Sequence, residues 1–187
     1  MAAAIHQRQL RLQPGRLTVQ ITPIGGQYFR VADPEWADPL DPSFSSRPPG
    51  RRWNPPGLSC LYLNHDVDTA RANVRRQFEG LPFSPESLDP ATAPQLVEVN
   101  VPSGQAADAH TSHGLAALGL PATYPHDANG AVISHAICQQ IGQAAFDANL
   151  DGIDYRSATP GGTREMAWFP RNSQPAQTSL RHFDQWW

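Results

Sequence analysis

The chain contains no lysine: all 14 of its basic residues are arginine, set against 17 acidic ones in 187 residues, for a formal net charge of −3. A broad cationic face for nucleic acid is therefore not expected, because the positive charge needed to displace phosphate counterions is missing overall. A Walker-type phosphate loop is excluded, since that loop needs its lysine. Phosphate contacts fall instead to backbone amides or to arginine, whose planar fork grips an oxyanion with two hydrogen bonds. Two cysteines, Cys60 and Cys138, are too few and too isolated for a disulfide framework or a zinc site. Both lie in apolar runs and read as buried small hydrophobes. No apolar run approaches the ~20 residues that a membrane helix needs, and no charged-then-apolar leader opens the chain. The expectation is a cytoplasmic protein without membrane association, with delivery to another cell by a specialised secretion system left open.

What is present fits one domain with a sizeable core. Hydrophobic residues make up 40% and charged residues 17%, and 19 prolines and 14 glycines promise many turns and short elements. Residues 1–16 are polar, end in Pro-Gly and read as an N-terminal arm; residues 17–187 form the domain. Short strands are expected at Leu17–Ile21 and Gln27–Val31, separated by Thr22-Pro23-Ile24-Gly25-Gly26. Residues 33–56 are a long proline-rich loop whose aromatics (Trp36, Phe44, Trp53) mark it as ordered and functional. A buried strand at Ser59–Leu63 leads to a helix capped by Asp66 or Asp68 and running to about Phe78. Val67, Ala70, Val74 and Phe78 share its apolar face, and Asn73 falls at the edge of that stripe. A strand over Gln95–Val101, a short helix over Ser112–Leu118, a longer one over Ala131–Phe146 and closing strands at Gly152–Tyr155 and Glu165–Phe169 complete the reading. Strands and helices are interspersed, so the fold class is mixed α/β (α+β): a single compact domain with a small mixed sheet flanked by helices.

Several chemistries drop out. There is no G-x-S-x-G nucleophile elbow. His110 and His113 have one short ligand spacing but no third ligand, so polar loop histidines are the better reading and no metal is expected. His135 falls inside the long helix and reads as a hydrogen-bonded structural histidine. Gly161-Gly162-Thr163 is a turn, because a strand rather than a helix follows it. Four features remain: the segment Gly50–Gly57 with Arg52, Trp53 and Asn54, then Arg30, Tyr62 and Ser157. Each has an ordinary reading when taken singly, as a surface ion pair, core packing or a turn hydroxyl.

Their order changes that judgement. The stretch RRWNPPGLSCLYLNHDVDTARANV resembles the hallmark of RES-domain toxins, whose pattern is roughly G-R-W-N-x-x-G, a strand ending L-Y-x-A and a helix opening T-A-x-x-E-V. FDANLDGIDYRSATPGGTREMAWF resembles the family's second block, a G-I-x-Y-x-S turn followed by an apolar strand, and the likeness runs from about Leu17 to Phe169. The resemblance implies an ADP-ribosyltransferase-like fold and a toxin that depletes NAD⁺ by cleaving the nicotinamide–ribose bond, as a glycohydrolase or phosphorylase. It also implies a neutralising partner, a helix-turn-helix antitoxin. NAD⁺ is then substrate, with no metal and no nucleic acid. By position the resemblance gives Arg30, Arg52, Asn73 and Ser157 as catalytic, and places Trp53, Asn54 and Tyr62 with Arg30, Arg52 and Ser157 around the bound dinucleotide. Arg30 and Arg52 would hold its phosphates or ribose, and Tyr62 would stack on the nicotinamide side.

One position departs from the pattern. Where T-A-x-x-E-V has glutamate, this chain reads Asn73, which can hydrogen-bond a ribose hydroxyl but brings no negative charge. Cleavage passes through an oxocarbenium-like sugar that a carboxylate normally stabilises. Glu79 points to the opposite side of the same helix, which leaves Glu98 and Asp108 as candidates from elsewhere. Two further readings stand beside the NAD⁺-cleaving toxin: an ADP-ribosyltransferase modifying a protein, and a degenerate module that binds NAD⁺ or ADP-ribose without cleaving it. The aromatic residues Phe183, Trp186 and Trp187 serve either as a contact surface or as packing on the domain.

Overall fold

Two long strands organise the chain in the computed structural model, which describes residues 9–12, 17–171 and 173–187. In order, the elements are β1 (Gln9–Leu12), β2 (Leu17–Ala32), β3 (Leu61–Asn64), α1 (Val67–Gln77), β4 (Gln95–Ala109), α2 (Ser112–Ala117), α3 (His135–Asp147), β5 (Gly152–Arg156), β6 (Arg164–Trp168), β7 (Ala176–Arg181) and α4 (Phe183–Trp186). Of the expected arm, residues 1–8 and 13–16 lie outside the described residues, while Gln9–Leu12 pairs with Leu17–Gln20 as β1.

The expected pair of short strands at the start is one strand of 16 residues. The intervening Gly25 and Gly26 make a β-bulge there, not a break between strands, using φ values of 138° and 94° that side-chain-bearing residues rarely adopt. Pro23 is tolerated because β2 is paired on one side only between Gln20 and Phe29, so the missing N–H breaks no ladder. β4 likewise outruns its expected end at Val101, pairing with β2 along nearly its whole length.

That length changes the architecture. β4 has room on its other edge for β7 at Leu96–Asn100 and, further on, for β5 at Ala106–Ala109 in the one parallel pairing. β5 pairs with β6, β6 with β3, and β3 with β2, so five strands close in the order β2-β3-β6-β5-β4 back to β2. The expected small flanked sheet is thus corrected to a closed barrel carrying β1 and β7 as outliers, within a mixed α+β domain. The alternation of the strands fills the barrel with Tyr28, Leu61, Leu63, Val97, Val99, Met166 and Trp168.

Two further cores lie outside it. α2, α3 and the Trp53 turn cover one flank, with Leu115, Cys138, Ile141, Ile153 and Phe169. The backbone of Trp53 lies so close to α3 that a Cβ at Gly142 would overlap its carbonyl oxygen. α1 and α4 cover the other flank, where Ala70 and Val74 meet Leu96, Phe183 and Trp186. The terminal aromatics therefore pack on the domain, and Arg71 Nε donates to the Trp186 carbonyl at 2.8 Å. β7 and α4 have no counterpart in the sequence reading. Among the described residues no helix is long and apolar enough to cross a membrane.

Candidate functional site

Between the two flanking cores, the outer faces of β3 and β6 are only partly covered. Leu61 and Leu63 point into the barrel, so Tyr62 and Asn64 point out; Met166 and Trp168 do the same for Glu165 and Ala167. Asn64 is the register partner of Glu165, and Glu165 of Tyr155, which sets three polar side chains in one row. A groove runs along this strip, walled by α1 on one side and by the turn at residues 50–54 on the other.

The groove has two lobes. The larger, of about 620 Å³, is bounded by Arg30, Trp36, Phe44 and Asn64; the smaller, of about 300 Å³, by Arg52, His135 and Tyr155. Arg51, Tyr62, Asn73, Arg76, Thr159 and Glu165 line both and form the waist. Trp36 and Phe44 stand 40% and 46% exposed at the lip, with the Arg30 and Arg51 guanidinium groups each 5.5 Å from a ring centroid.

Each wall is fixed by local chemistry. Asp66 caps α1 by accepting from the Thr69 N–H at 2.6 Å, while Thr163 ties that cap to the β5–β6 turn, donating to Asp66 Oδ2 at 2.7 Å. On the opposite wall, the Asn54 amide donates to the Ser45 and Leu58 carbonyls, and the Trp53 N–H donates to the Tyr62 hydroxyl at 2.9 Å. That hydroxyl in turn donates to Asn54 Oδ1 at 2.8 Å. The turn is thereby pinned with Arg51 and Arg52 on the groove side. Burial pushes the Tyr62 hydroxyl well above its ordinary range, so it holds its proton throughout.

The seam between β2 and β3 consists of a single pair, Phe29 with Asn64. One residue further on, Arg30 reaches the larger lobe. Its Nη1 is buried and has no hydrogen-bond partner among the described residues, and burial lowers the guanidinium pKa below the usual arginine value. Arg52 lines the smaller lobe and donates to the Ile133 carbonyl at 3.2 Å. Asn73 donates to Asn64 Oδ1 at 2.8 Å and accepts from the Thr159 hydroxyl at 2.6 Å, so both ends of its amide are engaged within the protein.

The residues expected from the sequence divide accordingly. Arg30, Arg52, Tyr62 and Asn73 meet in the groove. Trp53 and Asn54, both 0% exposed, do not: the indole packs against Tyr124 and Tyr155 in the core, and the amide holds the turn. Ser157 lines neither lobe; its buried Oγ accepts from the Thr159 N–H at 3.0 Å, placing the threonine that holds Asn73. Glu98 is bound to Arg181 on β7, and Asp108 accepts from the His110 and Thr111 N–H groups, so neither reaches the groove. His135 is not a structural helix-interior residue but the exposed first residue of α3 at the smaller lobe. What burial it has, then Arg52 and Arg51, lowers its pKa. Glu165 is the one acidic residue among those lining either lobe. The sequence reading passed over it, because a charge in the alternating run Arg164–Trp168 looks like an ordinary solvent-facing position until its cross-strand neighbours are known. Among the described residues no group of three His, Cys, Asp or Glu is placed to hold a metal ion.

The structure is thus a closed barrel with a lateral two-lobed groove lined by arginines and aromatic rings. The RES domain family matches residues 27–187, and the chain belongs to that family. The match begins later than the likeness read from the sequence and runs on through β7 and α4. Among solved structures, the chain is similar to one from the M. tuberculosis MbcT–MbcA toxin–antitoxin complex, with a TM-score of 0.70 and 20% sequence identity, covering 87% of this chain and 86% of that one. Comparison with curated protein sequences finds no match.

Proposed function

We propose that this protein cleaves NAD⁺ at the nicotinamide–ribose bond and acts as the toxin of a toxin–antitoxin pair. Membership of the RES family and a fold shared with a chain of a toxin–antitoxin complex support the reading. The observation that carries it is the unpartnered, buried Arg30 Nη1 at the larger lobe of a groove whose waist bears two more arginines, Arg51 and Arg76. A buried guanidinium N–H without a hydrogen-bond partner is costly unless a ligand oxyanion completes it. Two lobes joined at an arginine waist suit a dinucleotide whose diphosphate lies between its halves, in the manner of an ADP-ribosyltransferase-like site.

In this reading Arg30, Arg51 and Arg76 hold the phosphates, with Trp36 and Phe44 offering stacking faces at the lip. Arg52, Tyr62 and Tyr155 surround the nicotinamide riboside in the smaller lobe. Cleavage breaks the C1′–N bond, and the electron pair leaves with nicotinamide. Water or phosphate then forms the new C1′–O bond and gives up its proton to solvent. A neutralising protein, of the helix-turn-helix type implied by the family, would hold the toxin inactive in the cytoplasm. Asn73 favours a second reading, a module that binds NAD⁺ or ADP-ribose without cleaving it.

Chromatography of NAD⁺ incubated with purified protein, with and without phosphate, separates the two. Loss of NAD⁺ with release of nicotinamide, abolished by Arg52→Ala in a folded protein, is the expected result. Binding of ADP-ribose without any loss of NAD⁺ at high protein concentration would establish the second reading instead.

A further inference from the structure

We infer that Glu165, on β6, supplies the carboxylate that the helix position Asn73 does not, contacting the ribose of the bound dinucleotide beside the bond that breaks. The inference rests on the NAD⁺-cleaving reading. Its first support is position: Glu165 lines both lobes and is the one acidic residue among the described residues that do so. Its second is that the side chain is oriented and half free. Tyr155 donates to Glu165 Oε2 at 2.7 Å, while Oε1 has no hydrogen-bond partner and the carboxylate joins no ion pair among the described residues. Burial, then the Glu165 charge, pushes the Tyr155 hydroxyl well above its ordinary range, so it stays a donor to Oε2 and leaves Oε1 free for a ligand.

The third support is that Asn73 is already spent. Its amide bridges Asn64 on β3 and Thr159 on the β5–β6 turn, a bracket between strand and turn. Asn64 is itself the register partner of Glu165, so the bracket stands directly beside the carboxylate. The helix position has become scaffold, and the charge sits one strand over.

The chemistry needs a negative group at this point. As the C1′–N bond lengthens, positive charge spreads over C1′ and the ring oxygen. A carboxylate that accepts from a ribose hydroxyl strengthens its hold as that charge grows, which is transition-state stabilisation and not uniform binding. Glu165 changes no covalent bond and exchanges no electrons; the departing pair stays with nicotinamide, and the acceptor oxygen closes on C1′.

The test compares wild type with Glu165→Gln and Tyr155→Phe for steady-state NAD⁺ cleavage, ADP-ribose affinity by calorimetry, and thermal unfolding. Glu165→Gln keeps the shape and can still accept from Tyr155 through its amide oxygen. We expect kcat to fall at least about 100-fold, ADP-ribose affinity to change by less than about 3-fold, and the unfolding temperature to stay close to wild type. Tyr155→Phe frees the carboxylate to swing and should lower kcat by about 10-fold with little change in KM. Wild-type cleavage that survives unchanged in Glu165→Gln overturns the role of Glu165 and leaves the NAD⁺ reading standing. So does a raised KM at constant kcat, which would make the residue a simple binding contact. A wild-type protein that consumes no NAD⁺ under any condition removes both. If Glu165→Gln unfolds early, the kcat of Tyr155→Phe decides: wild-type kcat there overturns the inference.

Discussion

The side-chain amides of Asn64 and Asn73 meet across the floor of the groove, the Asn73 nitrogen donating to the Asn64 oxygen at 2.8 Å. One belongs to a barrel strand and the other to the helix packed over it. Their contact fixes how far α1 stands from the strip that carries Tyr62 and Glu165, and so sets the width of the waist.

A first prediction follows for position 73. Asn73→Glu reproduces the family pattern but removes the donor to Asn64 and adds a negative charge beside Glu165. We expect it to lower NAD⁺ cleavage by about 10-fold or more, because like charges crowded at one site disfavour the ionised pair. Asn73→Ala should cost about 1–2 kcal/mol of stability, since the partner groups on Asn64 and Thr159 are left unmet. Initial rates and urea denaturation check the two claims. A gain in rate for Asn73→Glu would show that the helix position, and not β6, is where the charge belongs.

Arg30 leads to the opposite pattern. Its buried Nη1 costs the ligand-free protein something and helps only when an oxyanion arrives. Arg30→Ala should weaken ADP-ribose binding by about 10- to 100-fold, the worth of a charge-assisted hydrogen bond, while leaving the unfolding temperature of the free protein unchanged or slightly raised. Calorimetric titration paired with thermal unfolding measures both. A large drop in unfolding temperature would mean that Arg30 is structural.

A third prediction concerns acid stability and Asp154. It is fully buried and ion-paired with Arg164, and its Oδ1 lies 3.0 Å from His65 Nε2. Burial by itself would raise this carboxyl, but the hydrogen bonds from His65 and Arg164 and the charge of Arg164 outweigh it and hold the pKa below the ordinary aspartate value. A depressed folded value means the stabilisation is complete above the unfolded value of about 3.9 and is lost as pH falls through the lower folded one. Asp154→Asn should therefore cost about 3–5 kcal/mol at neutral pH, and its gap to wild type should narrow in acid. Urea denaturation at pH 7 and in acid tests this; a gap that widens in acid contradicts it.

Gly142 offers a test of the turn. Gly142→Ala places a methyl where the Trp53 carbonyl oxygen lies, so the turn or the helix must shift. A stability loss of about 1–3 kcal/mol together with reduced NAD⁺ turnover is expected, because Arg51 and Arg52 move with Trp53. Unchanged turnover in a destabilised protein would show that the turn's position does not govern the site.

How legible was all this in the sequence? The resemblance carried by the segment Gly50–Gly57 and the helix opening Thr69-Ala70 drew Arg52, Tyr62 and Asn73 together, and in the structure all three line the groove. Trp53 and Asn54 were singled out by the same segment, yet they work by holding the turn; a motif marks what a fold requires without saying which atoms touch the ligand. The stretch 22–26 with its glycine pair read as a break between two strands, since a bulge and a strand end use the same permissive backbone and differ only in what pairs alongside. Glu165 was the largest omission. Its setting depends on Asn64 and Tyr155 on neighbouring strands; Tyr155 lies 10 residues earlier in the chain, but the register with β3 joins segments far apart in sequence and leaves no local trace.

The closure of the barrel also limits how another protein can attach. An open sheet can lengthen by accepting a partner's strand along its edge, gaining affinity from main-chain bonds alone. Here the ring strands spend most of their edges on one another; among the described strands, β1, β7 and the stretches of β2 and β3 beside their single-pair seam keep a side unpaired. A protein that silences this one by sheet extension must dock along one of those edges. One that blocks the groove itself must do so with side chains, and its specificity will be written in sequence and not in backbone.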